Sequence, residues 1–169
     1  MRKVSRKKKK EKTKFKFKST ERFLQPDPKH KNLVLSKLIN KVMLDGKKST
    51  AQECVYGAMD MLGKRVKDSE PLETVLKAID NVKPRVEVRS KRVGGATYQV
   101  PMEVSRRRQQ SLAIRTIVEN ARGKKGKPMA QHLADEFFDA FNRQGASITW
   151  RENVHKMAEA NKLFAHFAW

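Results

Sequence analysis

Arg106-Arg107-Arg108 is followed by Arg115 and Arg122, and a second cationic run, Arg89, Lys91 and Arg92, leads into Gly94-Gly95. Guanidinium and ammonium groups at this density neutralise phosphates, and the counterions they displace drive association and make it salt-dependent. Arg108, Arg115 and Arg122 recur every seven residues, so on a helix they form one stripe with Ser111 and Glu119. Arginine forks onto phosphate oxygens and stacks on bases. Arg89, Arg92, Arg106, Arg107 and Arg108 therefore suit irregular RNA better than lysines would. Tyr98, close to the glycine pair, either stacks on a base or packs across strands; the sequence leaves both open.

The charge is segregated. Residues 1–48 hold 18 basic and 4 acidic side chains, and residues 83–127 hold 13 and 3; the two remaining blocks are close to neutral. A net charge of +21 on 169 residues opposes folding by self-repulsion and makes a polyanion the expected partner. Two separate basic blocks are what a protein needs if it lays two surfaces on phosphate.

Other chemistry is missing. The single cysteine, Cys54, excludes an internal disulfide framework and a thiolate zinc cage, and its place on an amphipathic helix reads as a small buried hydrophobe. His30, His132, His155 and His166 do not pair with Cys54 or with carboxylates at metal-ligand spacing. His155 and Glu159, one turn apart, read as a surface pair. No serine lies in a nucleophile elbow, and the glycine pair lacks phosphate-loop spacing. The expectation is no enzyme, no metal, no cofactor and no small-molecule substrate. No apolar stretch approaches a membrane span, and the basic N-terminus is followed by "KFKFKSTERF" where a signal peptide would place its apolar core.

The elements that must position these cations are mostly helical. Residues 1–18 contain 11 Lys or Arg and one acid, too polar to order themselves, so residues 1–23 read as a disordered basic arm closed by Gln25-Pro26-Asp27-Pro28. One domain is expected over residues 24–169. Leu35, Leu38, Ile39, Val42 and Met43 make the apolar face of a first helix, stopped by Asp45-Gly46. Ser49 or Thr50 caps a second, with Val55, Ala58, Met59, Leu62 and Val66 inward. Ser69 and Pro71 open a third, with Leu72, Val75, Leu76 and Ile79 on its face.

The period then falls to two. Val86 and Val88 share one side of a strand, and Glu87, Arg89 and Lys91 share the other. After Gly94-Gly95, Tyr98, Val100, Met102 and Val104 alternate again. A hairpin over residues 85–104, with no sheet to join, is expected to project and to gain order on a partner. Ser105 caps a fourth helix to about Arg122, with Leu112, Ala113, Thr116 and Ile117 inward. Pro128 begins a fifth, carrying Met129, Leu133, Phe137 and Phe141 and stopped by Gly145. Thr149 with Glu152 reads as the capping box of a last helix bearing Val154, Met157, Ala158, Phe164 and Ala165. Met43, Met59, Met61 and Met157 read as core filler. The fold class is thus mainly α: six helices in a single domain, a protruding two-stranded hairpin and a basic tail. A helical DNA-binding protein, placing the Arg108–Arg115–Arg122 stripe in a major groove, is the alternative.

Three stretches carry a family resemblance: "INKVMLDGKKSTAQ" (39–52), "VEVRSKRVGGATYQVPMEV" (86–104) and "RENVHKMAEANKLFAHFAW" (151–169). Their order and spacing resemble small-subunit ribosomal protein seven of the bacterial and organellar type, over roughly residues 24–169. The resemblance implies a six-helix fold with a protruding ribbon and binding to the three-prime major domain of small-subunit ribosomal RNA. It implies a part in starting assembly of the subunit head, with the ribbon near the exit-site transfer RNA and the messenger path. Head proteins nine and thirteen and platform protein eleven are the implied neighbours, on a cytoplasmic ribosome or that of an organelle. By position, Lys47, Lys48, Lys91, Arg92, Arg106, Arg107 and Arg108 are implied RNA contacts. The other candidate cations are Lys3, Arg6, Lys29, Lys83, Arg85, Arg89, Arg115 and Arg122. Arg92, Gly94, Gly95 and Tyr98 are the part of the hairpin expected nearest transfer and messenger RNA.

Overall fold

A computed structural model describes residues 23–67 and 69–168. The expectation of a disordered arm, with Lys3 and Arg6 in it, lies outside the described residues but for Phe23. Six α-helices and one hairpin follow in chain order: α1 (Leu33–Val42), α2 (Lys48–Arg65), α3 (Pro71–Val82), β1 (Val86–Val93), β2 (Ala96–Glu103), α4 (Arg106–Gly123), α5 (Met129–Phe141) and α6 (Ala146–Ala160), with a terminal 3-10 helix at Lys162–Phe167.

The apolar helix α5 is the centre of the bundle, packed on α2, α3, α4 and α6. Leu133, Ala134, Phe137 and Ala140 are completely buried there. Gly57 of α2 faces Ala130 of α5, where a β-carbon would make an ordinary 3.6 Å contact with the Ala130 side chain. A polar chain also crosses the core. Asn120 of α4 donates to the Ser147 hydroxyl of α6, which donates to Glu136 of α5 over 2.7 Å. The Glu136 carboxylate is 1% exposed, with the Lys124 ammonium 2.7 Å away as its counter-charge.

The helix ends depart from the sequence expectation. Neither Ser49 nor Thr50 caps α2. Asp45 and Gly46 both take positive φ, 50° and 74°, and turn the chain so tightly that α2 starts at Lys48 behind Lys47. Asn32, unremarked in the sequence, caps α1 by accepting from the Val34 and Leu35 amides. Glu70, not Ser69, occupies the cap position of α3; the Ser69 hydroxyl meets that of Thr74 instead. Helix α5 ends at Phe141, so Gly145 does not stop it but starts α6. Thr149 is already in the first turn of α6, its hydroxyl donating back to the Gly145 carbonyl rather than capping. The last helix also breaks earlier than expected, at Asn161.

Inward assignments change as well. Leu76 is half-buried, because α3 turns Thr74, Val75, Ala78, Ile79 and Val82 to the core. Met157 is 52% exposed and fills no core. Cys54 is only partly buried.

Gly145 sits at φ +85°, where a β-carbon would come within 2.8 Å of the Asp139 side chain. Gly145→Ala therefore combines left-handed strain with a clash. It is expected to cost about 1–3 kcal/mol in a denaturant melt. A wild-type midpoint for that variant would mean the α5–α6 turn relaxes freely.

Candidate nucleic-acid interface

The hairpin closes through Gly94 and Gly95 at φ 57° and 90°, the pair of left-handed positions that a type I′ turn requires. The turn sets the register, with Arg89 opposite Val100, Lys91 opposite Tyr98 and Val93 opposite Ala96. Residues directly opposite share a face. The charged side of β1 (Glu87, Arg89, Lys91) therefore lies with the apolar side of β2 (Tyr98, Val100, Met102). Arg92, Thr97 and Gln99 share the other face.

The ribbon is not held only at its base. Within the chain, the Tyr98 ring packs on Phe164 and Phe167, with centroids 5.2 and 5.1 Å away. The Lys91 ammonium donates to the Phe167 carbonyl over 2.7 Å. The terminal 3-10 helix is thus a strut along one face of the protruding ribbon. This was invisible in the sequence, because Phe164 read as part of a continuous helix.

His155 anchors the base of the ribbon. Its Nε2 accepts the Arg85 amide at 3.0 Å; it makes no surface pair with Glu159. Burial, together with the Arg151 and Arg85 charges, pulls this imidazole below the ordinary histidine range. A histidine with a lowered folded pKa favours folding most when neutral. That contribution is complete above the unfolded value of about 6.5 and fades as pH falls through the lowered folded value. Between pH 8 and pH 5, amide exchange at Arg85 is expected to accelerate relative to the α5 core. His155→Ala should abolish that dependence, and an identical pH profile in both proteins would refute the anchor.

The candidate cations separate into two groups. Glu87 is gripped by Arg89, 2.5 Å away, and by Arg108 at 3.3 Å, which joins β1 to α4. Arg122 donates to the Lys41 and Val42 carbonyls and so caps the C-terminus of α1. Lys83 pairs with Asp80, and Lys29 lies 5.1 Å above the Tyr56 ring. These side chains are partly engaged in holding the fold. Arg92, Arg106, Arg115, Lys47 and Lys48 are exposed and carry no intramolecular partner among the described residues. Arg85 is exposed beside Lys83, Arg151 and His155 around a polar hollow of about 360 Å³. Arg107 lines a larger groove between α1 and α4 with Lys37, Lys41 and Arg115.

The stretch that borders this groove on its N-terminal side is tied down. The buried Asp27 carboxylate accepts the Lys29 and His30 amides and, at 2.7 Å, the Tyr56 hydroxyl. Burial first, then the bond to Asp27 and its charge, push the Tyr56 phenol up to about 12, so the bond persists at physiological pH. Ser36 donates to the Gln25 carbonyl over 2.8 Å. The stretch before α1 is thereby laid along the helix.

Among the described residues, no three histidine, cysteine or acidic side chains group where a metal ion could be held. No described helix is long and apolar enough to cross a membrane. A rigid helical body with a strutted ribbon and exposed arginines on both defines a structural nucleic-acid-binding protein. The DNA reading fares poorly within that class, since two of the three arginines on the α4 stripe are tied down and only Arg115 is open.

The comparisons narrow the class. The family described as Ribosomal protein S7p/S5e matches residues 7–162. "Small ribosomal subunit protein uS7" of Rhodopirellula baltica is 58% identical over 144 residues, covering 85% of this chain and 92% of that protein. The protein of the same name from Thermosipho africanus is 57% identical over 148 residues, covering 88% and 95%. That of Thermotoga neapolitana is 53% identical over 152 residues, covering 90% and 97%. The chain belongs to the Ribosomal protein S7p/S5e family: it is a structural, RNA-binding protein of the small ribosomal subunit and not an enzyme.

Proposed function

We propose that the protein binds the three-prime major domain of small-subunit ribosomal RNA and helps to start assembly of the subunit head. The carrying observation is the set of exposed arginines without a partner among the described residues, Arg92, Arg106 and Arg115, on a body that several other cations, Arg89, Arg108 and Arg122 among them, stiffen. Rigid placement matters because phosphate contacts set position without reading sequence. A folded RNA presents phosphates at fixed separations that only a preformed surface can match.

On this reading Lys47, Lys48, Arg85, Arg92, Arg106, Arg107 and Arg115 contact RNA directly. Lys29, Lys83, Arg89, Lys91, Arg108 and Arg122 lend their charge while holding structure. The basic arm, with Lys3 and Arg6, adds phosphate contacts and orders on RNA. The tip, with Arg92, Gly94 and Gly95, lies near the exit-site transfer RNA and the messenger path; Tyr98 positions the ribbon from behind. Small-subunit proteins nine, eleven and thirteen are the neighbours, on a cytoplasmic ribosome.

Footprinting on ribosomal RNA at physiological salt, with competing duplex DNA, tests this. Protection confined to one multi-helix junction is expected. Diffuse protection, or equal loss to duplex DNA, would overturn the reading.

A further inference from the structure

The groove between α1 and α4 has a volume of about 490 Å³, within the range of small-ligand sites. Its wall and floor are apolar: Phe23, 72% exposed, with Leu24 and the Ile114 side chain beneath. Its two rims are cationic, Lys37 and Lys41 on α1 facing Arg107 and Arg115 on α4; Glu119 stands 3.8 Å from Lys41 at one end, and among the described residues no carboxylate lines the groove itself. Between the rims, Asn40, Gln110 and Ser111 offer amide and hydroxyl groups.

Each part matches one part of a nucleotide. Cations on both rims suit the phosphates on either side. An apolar floor suits the face of a base, and amides suit its hydrogen-bonding edge. A carboxylate-bearing peptide would use the rims alone. A base stacked inside a duplex cannot enter; an unpaired one can. The Asp27–Tyr56 and Ser36–Gln25 bonds hold the Phe23–Leu24 wall in place beforehand.

We infer that this groove takes the base of one unpaired RNA nucleotide. The inference rests on the RNA-binding reading above, and adds a position at which a base is felt as well as its charge.

The test uses the full chain and the ribosomal RNA junction that it protects. Each unpaired nucleotide in the footprint is replaced in turn by an abasic one, which keeps the phosphate. At one position, base removal is expected to weaken wild-type binding about tenfold with an unchanged salt slope. Ser111→Trp fills the groove from an exposed position of α4. It should lose about the same tenfold on intact RNA and be indifferent to base removal there. Should Ser111→Trp not melt cooperatively, Gln110→Leu, which deletes an amide without adding bulk, is expected to behave alike. A wild-type protein that holds the junction but tolerates base removal everywhere overturns the inference and leaves RNA binding standing. So does a Ser111→Trp protein that binds intact RNA at full strength, the result expected if the groove served a partner protein. Loss of the junction preference itself overturns both.

Discussion

Phe137→Ala is expected to cost about 3–5 kcal/mol of folding free energy, seen as a lower midpoint in denaturant with an unchanged slope. Phe137 is the largest fully buried side chain and sits at the middle of α5, where α2, α3, α4 and α6 converge. Removing its ring leaves a cavity bounded by several helices. They cannot all move inward, because the Asn120–Ser147–Glu136 chain ties α4, α5 and α6 to one another. Leu76→Ala is the informative control. Helical periodicity places Leu76 inward, yet it is half-buried, so about 1 kcal/mol is expected. Equal losses at the two positions would mean that α3 is rotated from the orientation described.

Reversing Arg92, Arg106 and Arg115 together to glutamate should cost RNA affinity and almost no stability. Each arginine that meets a phosphate contributes about one unit to the salt slope. The slope should flatten by about 3 and affinity fall about a hundredfold at physiological salt. The melting temperature should hold, since no intramolecular partner is lost among the described residues. Arg122→Glu is the contrasting case. It removes the cap from the Lys41 and Val42 carbonyls and should lower stability while changing the salt slope little. Lys91→Glu, close as it is to Arg92, should also loosen the ribbon, because Lys91 holds the Phe167 carbonyl. A triple variant that melts early, or an Arg122 variant that loses only RNA affinity, would reverse this division.

Most of the architecture was legible from residue order. Apolar residues at helical spacing located all six helices, the switch to a period of two located the ribbon, and Gly94-Gly95 located its turn, because these signals depend on near neighbours. Segregated charge announced a polyanion for the same reason: Coulomb repulsion on +21 charges has to be relieved by something outside the chain.

What only the tertiary structure decided was which cations are at work inside the molecule. Arg108 and Arg122 look equivalent to Arg115 along the helix. Their difference comes from Glu87, 21 residues away, and from the end of α1, about 80 residues away. Tyr98 and His155 likewise take their roles from Phe164, Phe167 and Arg85, which pairing and packing bring near. Local sequence specifies backbone periodicity and total charge. The partner of a long, flexible cationic side chain is set by distances that exist only once the helices have packed.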